Sequence, residues 1–187
     1  MPNSNFVQKI DEIREKAKQH LEKGAVTDNY KGDTTEAVRL LNDVLATETV
    51  CMLRYKSHYF MASGIHTEPV TKEFLEHARD EQMHADMIAE RIVQLGGCPD
   101  FNPASLLSRS HSEFAEGTDL LDMIRINLIA ERVAIASYRE IIGYFGDNDP
   151  STRRMLEEIL AVEEDHAQDL STLLASTKEF KKAMRAA

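Results

Sequence analysis

The chain has 187 residues, which suits one domain with a sizeable core, and its formal net charge of −10 disfavours general nucleic-acid binding and favours cations. No run of 18 or more apolar residues occurs, so no membrane span is expected. The first residues, MPNSNFVQKIDEIREK, carry charges where a secretory signal needs an apolar stretch, so a cytoplasmic location is the default and Cys51 and Cys98 read as reduced thiols.

Phe6, Ile10, Ile13, Ala17 and Leu21 recur at helical spacing and predict a short amphipathic helix over 5–23. Gly24 to Asp33 is a turn-rich linker. Four long helical patterns follow, over about 34–62, 69–95, 119–145 and 150–176. SGIHTEP breaks the first, Gly96-Gly97 ends the second, Thr118 is a candidate N-cap for the third, and Pro150 opens the fourth. The tail, TKEFKKAMRAA, reads as a short fifth helix or a frayed end. Three regions result: residues 1–33, an N-terminal helix and linker; 34–176, a bundle; and 177–187, a tail.

Each main pattern spans about 40 Å as a helix. Short links join the first to the second and the third to the fourth, so each pair is antiparallel. The link between second and third, roughly 20 residues rich in Pro, Ser and Asn, is long enough to cross the bundle. The expected architecture is all-α, a four-helix bundle with one long crossover and an extra N-terminal helix.

Each main helix also places one Glu in its apolar stripe, where residues three, four and seven apart share a face. Glu48 has Leu41, Val44, Leu45, Cys51 and Met52 around it; Glu131 has Ile124, Leu128, Ala134 and Ile135. Glu81 has Phe74, Ala78, Ala85 and Ile88, and Glu163 has Leu156, Ile159, Leu160 and Leu170. His84 and His166 follow Glu81 and Glu163 by three residues, giving two Glu-x-x-His copies. Glu48 and Glu131 are 83 residues apart, Glu81 and Glu163 82, so the chain reads as two copies of one helix pair. Four buried carboxylates cost several kcal/mol each unless compensated. Two divalent cations cancel their charge, and two neutral imidazoles complete a mixed ligand set suited to iron, manganese or zinc.

The segments LLNDVLATETVCMLRYKSHYF, EFLEHARDEQMHADMIAERIVQLGGCPDF, LIAERVAIASYREI and ILAVEEDHAQDL together resemble bacterioferritins and their Dps-like relatives, over about 36–174. The resemblance implies a ferritin-like bundle and a homo-oligomeric cage of 12 or 24 subunits. It implies a ferroxidase that binds two Fe²⁺ per subunit, oxidises them with O₂ or H₂O₂ and stores the ferric mineral. By match to the family's motifs, Glu81 and Glu163 are bridging carboxylates, Glu48 and Glu131 terminal ligands, and His84 and His166 nitrogen ligands. Haem-carrying bacterioferritins place a Met directly after the Glu of the first Glu-x-x-His; here that residue is Gln82, so haem is not expected.

Tyr55 and Tyr138 each follow a stripe-centred Glu by seven residues and are candidate hydroxyl donors to ligating carboxylates. Asn127, one turn before Glu131, is a candidate to hold that carboxylate. His77 reads as a partly exposed helix residue, with a transient iron ligand as the alternative, and His58 as a surface or interface residue. Cys51 reads as a small buried hydrophobe. The basic tail is too weak a signal to predict DNA binding. The competing reading, a non-storing rubrerythrin-like peroxidase, lacks the Cys-x-x-Cys electron-delivery motif that family adds.

Overall fold

A computed structural model describes residues 4–62 and 68–186, with backbone only for 4–8 and 177–186. The described residues form helices and no strands: α1 (Ser4–Lys16), a 3₁₀ turn (Leu21–Lys23), α2 (Thr34–Met61), α3 (Glu68–Gln94), α4 (Leu106–Arg109), α5 (Leu120–Phe145) and α6 (Pro150–Ala186). None is long and apolar enough to cross a membrane. The four long helices pack as antiparallel pairs, α2 with α3 and α5 with α6, and the pairs meet through α2 with α5 and α3 with α6.

The ends of these helices follow from local chemistry. Asp33 caps α2 by accepting hydrogen bonds from the Thr35 and Glu36 amides at 2.9 and 3.1 Å. The cap of α5 is Asp119 instead of the expected Thr118: its carboxylate takes the Asp122 amide at 3.0 Å, while Asp122 reaches back to the Thr118 amide and hydroxyl. Asp149 caps α6 through the Thr152 amide at 2.9 Å. Gly96, at φ 82°, turns the chain out of α3. A Cβ on the next residue, Gly97, would stand 2.6 Å from the Val38 side chain, so the crossover starts flush against α2.

Two element boundaries differ from expectation. The N-terminal helix stops at Lys16 rather than Lys23, and His20 takes a left-handed conformation at φ 54°. Among the described residues α1 packs on no other helix, and its Ile13 is 53% exposed, so packing does not extend it. At the other end α6 passes Ser176 and runs to Ala186, since TKEFKKAMRA holds no Gly or Pro to stop it. The predicted break at 63–67 lies outside the described residues.

Two apolar clusters occupy the bundle. One gathers Leu41, Leu45, Ile88, Ile92, Ile141, Phe145, Leu156 and Ile159; the other gathers Val70, Phe74, Ala78, Met123, Ile124 and Leu170. Between them lies the buried polar layer described below.

The crossover is strapped along one edge of α2. Asn42 holds Cys98 and Asp100, Arg109 donates to the Asn42 carbonyl at 2.7 Å, and Thr47 accepts from the His111 amide. Further along, Arg54 donates to Ser112 and to the Glu113 carbonyl, and His58 bonds the Ala115 carbonyl at 2.9 Å. From Asn42 to His58 this edge covers about 24 Å of helix. The link therefore runs along the bundle and sets α5 beside α2.

Candidate metal centre

Glu48 on α2, Glu81 and His84 on α3, Glu131 on α5, and Glu163 and His166 on α6 lie in the layer between the two apolar clusters, none more than 4% exposed. Their donor atoms form two groups, each with ligand atoms within 4.8 Å of one another: Glu48, Glu81, His84 and Glu163; and Glu81, Glu131, Glu163 and His166. Glu81 and Glu163 belong to both. Helix periodicity brings each side chain to the inner face, and the antiparallel pairing brings the four faces to one height.

The tyrosines brace this layer crosswise. Tyr138, on α5, donates to Glu48 Oε1 of α2 at 2.7 Å, while Tyr55, on α2, donates to Glu131 Oε1 of α5. Each Tyr therefore serves the carboxylate of the opposite helix, not the one seven residues before it. His166 Nε2 lies 3.3 Å from Asp80 Oδ2, which fixes the ring so that Nδ1 faces Glu163 Oε2 at 3.6 Å. His84 Nδ1 stands 2.8 Å from Glu163 Oε1, 3.3 Å from Glu48 Oε2 and 3.6 Å from Glu81 Oε2.

Burial, and then Glu163, Glu48 and Glu131, push Glu81 well above the usual carboxylate range. Burial and Glu163 do the same to Glu131, and burial and Glu48 raise Glu163. Burial would raise Glu48 too, but hydrogen bonds from His84, Glu81 and Tyr138 outweigh it and hold it low. Burial opposes charge on His84, yet its bonds to Glu163 and Glu48 push it up to about 10. The layer thus carries an excess of negative charge that protons offset.

The donor chemistry fits a pair of divalent cations. Glu81 Oε1, Glu131 Oε2, Glu163 Oε2 and His166 Nδ1 are buried without a hydrogen-bond partner. Such orphaned acceptors cost free energy unless something cationic lies between them. Oxygen and imidazole donors without thiolate suit iron, manganese or zinc. Cys51 stays outside: burial pushes its thiol up to about 12, and its sulfur accepts from Arg54 at 3.3 Å. Both cysteines are free thiols, Cys98 exposed and Cys51 buried.

Three residues sit otherwise than expected. Asn127 does not hold Glu131; its oxygen accepts from Arg54 Nε at 3.0 Å, and its amide nitrogen lies 2.9 Å from His58 Nδ1. His58 is fully buried, because the crossover covers its face of α2. His77 is buried too, stacked on His166 with ring centroids 3.9 Å apart, and its Nδ1 meets the Tyr55 hydroxyl at 3.1 Å. Burial and the His166 charge lower its pKa to about 3. Arg54, fully buried, went unremarked in the sequence. The signal available was an arginine three residues from Cys51 and four from His58, along the edge that meets the crossover.

A family model described as a ferritin-like domain matches residues 38–180. A bacterioferritin of Brucella melitensis is 29% identical over 142 residues, covering 74% of this chain and 83% of that one. A DNA protection during starvation protein of Pyrococcus furiosus is 29% identical over 148 residues, covering 76% and 78%. Among solved structures, a dodecameric thioferritin, the bacterioferritin-related protein of Bacteroides fragilis, superposes with a TM-score of 0.78 at 31% identity, covering 82% of this chain and 92% of that one. With the bundle, the crossover and the matched length in agreement, the chain belongs to the ferritin-like family, alongside bacterioferritins and Dps-like proteins.

Proposed function

We propose that the protein is an iron-storage and detoxification ferroxidase, which binds two Fe²⁺ per subunit, oxidises them and retains the ferric product in a homo-oligomeric cage of 12 or 24 copies. The observation that carries this reading is the sharing of Glu81 and Glu163 between two overlapping donor groups. Two carboxylates common to both groups suit a pair of neighbouring ions, each completed by one imidazole and one further Glu. The relatives are named as bacterioferritins and a dodecameric thioferritin, which supports storage and assembly.

In this reading Glu81 and Glu163 bridge the two ions, Glu48 and His84 complete one set, and Glu131 and His166 the other. Glu81, Glu131, Glu163 and the His84 ring surrender their protons as Fe²⁺ binds, and Glu48 is held ionised beforehand, since two divalent ions cancel four negative charges. Tyr138 and Tyr55 hold Glu48 and Glu131 in the orientation that turns their remaining oxygens inward. Asp80 keeps a proton on His166 Nε2 and leaves Nδ1 free to bind. Each pair of Fe²⁺ passes two electrons to O₂ or H₂O₂. The apolar clusters on either side exclude water from the layer.

The test is stopped-flow oxidation of Fe²⁺ under air and under peroxide, with native mass measured on the same sample. Glu48→Ala combined with Glu131→Ala is expected to slow the fast phase at least 100-fold and to leave the oligomer intact. Wild-type rates in that double variant, or a wild-type protein that is only a dimer, would overturn the proposal.

A further inference from the structure

Beside the paired centre, α3 and α6 carry another set of donors. Glu73 and His77 on α3 and Asp169 on α6 present ligand atoms within 4.8 Å of one another. Glu73 is one-third exposed, Asp169 is exposed and His77 is only 2% exposed. Two acids on a surface are ordinary; the buried imidazole behind them is not.

The hydrogen bonds fix which nitrogen of His77 is bare. The Tyr55 hydroxyl has one proton and donates it to Glu131, so at its other side it accepts from His77 Nδ1–H, 3.1 Å away. A proton on Nδ1 leaves Nε2 of the neutral ring as a lone pair. That Nε2 is buried, has no hydrogen-bond partner and lies 3.8 Å from Glu73 Oε2. A bare buried nitrogen and two carboxylates converge here, and a cation is what such a set takes. The mixture of carboxylate and imidazole selects a first-row divalent ion over calcium or magnesium.

We propose that Glu73, His77 and Asp169 form a third divalent-cation site, which loads Fe²⁺ into the paired centre. The site itself stands on its own geometry, and only its loading role rests on the ferroxidase reading. Its position suits that role. His77 stacks on His166 and reaches Glu131 through Tyr55, so the ion would sit one side chain away from the paired centre. The exposed Asp169 opens it to solvent. Three protein ligands, fewer than the paired centre's six, leave room for water and for release.

The experiment is anomalous diffraction from crystals of the full chain soaked in Zn²⁺, paired with Fe²⁺-dependence of the oxidation rate. Wild type is expected to show a peak within bonding distance of His77 Nε2. The double variant Glu73→Gln with Asp169→Asn, both at exposed or half-exposed positions that tolerate change, loses that peak and keeps those at Glu81 and Glu163. It also needs several-fold more Fe²⁺ for half-maximal rate, at an unchanged maximum. A charge-matched control, Glu76→Gln with Asp165→Asn, leaves both readouts at wild type. No peak at His77 while the paired centre is filled overturns the site. An unchanged half-saturation in the double variant, or an equal rise in the control, overturns the loading role. Peaks at His77 with none at Glu81 and Glu163 support the third site and count against the ferroxidase reading instead.

Discussion

Tyr55 and Tyr138 sit where the two halves of the chain are held together at atomic scale. Each takes its hydrogen bond to the carboxylate on the other half, so a change at one Tyr is felt at the Glu of the opposite helix pair. Tyr138→Phe removes the 2.7 Å bond to Glu48 and leaves a buried carboxylate oxygen free to turn. The expected result is a 10- to 100-fold loss of Zn²⁺ affinity in a competition titration, about what the loss of an orienting partner behind a ligand does elsewhere. An unchanged affinity would show that packing alone aims Glu48. Sequence spacing named both tyrosines but not which carboxylate each serves, because a helical face gives direction and not the identity of the neighbour it meets. His77 and His58 failed for the same reason: their burial comes from α6 and from the crossover, neither of which is local to them.

At the scale of elements, Asp149 joins three of them. It caps α6, accepts from the single nitrogen Arg91 Nη2 at both carboxylate oxygens, 2.9 and 3.0 Å away, and accepts from the Tyr30 hydroxyl at 2.8 Å. The N-terminal linker, α3 and α6 meet there, and the carboxylate is 2% exposed. Asp149→Ala forfeits a cap and charge-assisted bonds together, for an expected loss of about 2–4 kcal/mol. Denaturant midpoints at fixed protein concentration measure it, because assembly shifts apparent stability. A loss under about 1 kcal/mol would mean the linker docks by its apolar contacts, Val26 and Tyr30 against the core, alone. GDND in the sequence was legible as a break between helices; that its last residue ties the linker to the bundle required a partner 119 residues away.

At the scale of the whole molecule, the crowded buried acids of the candidate metal centre make folding sensitive to pH. The folded chain holds the His84 proton up to about 10, whereas the unfolded chain releases it near 6.5. Between those values the folded state binds more protons, so the stability of metal-free protein is fully present below 6.5 and is lost as pH rises toward 10. Glu81, Glu131 and Glu163, all held above the ordinary range, act in the same direction. Glu48, held low, acts the opposite way only in acid. The melting temperature of metal-free protein should therefore fall as pH rises above 6.5, and excess Zn²⁺ should raise it and flatten the slope. Calorimetry in buffers of different protonation enthalpy should also record proton release on Zn²⁺ binding at neutral pH. A flat metal-free profile, or binding without proton release, would refute the charge assignment.

By itself the sequence determined what repeats locally. The period of apolar residues set the four long helices, Gly96 and Pro150 set two of their ends, and the stripe-centred Glu48, Glu81, Glu131 and Glu163 with two Glu-x-x-His copies marked the charged layer. Only the tertiary structure decided which side chain answers which: the crosswise tyrosines, the burial of Arg54, His58 and His77, the Asp149 junction and the bare nitrogen facing Glu73. A helix fixes the direction of its side chains within a few residues, whereas a hydrogen bond between helices depends on how far each is rotated and slid against the next, and no local pattern encodes that.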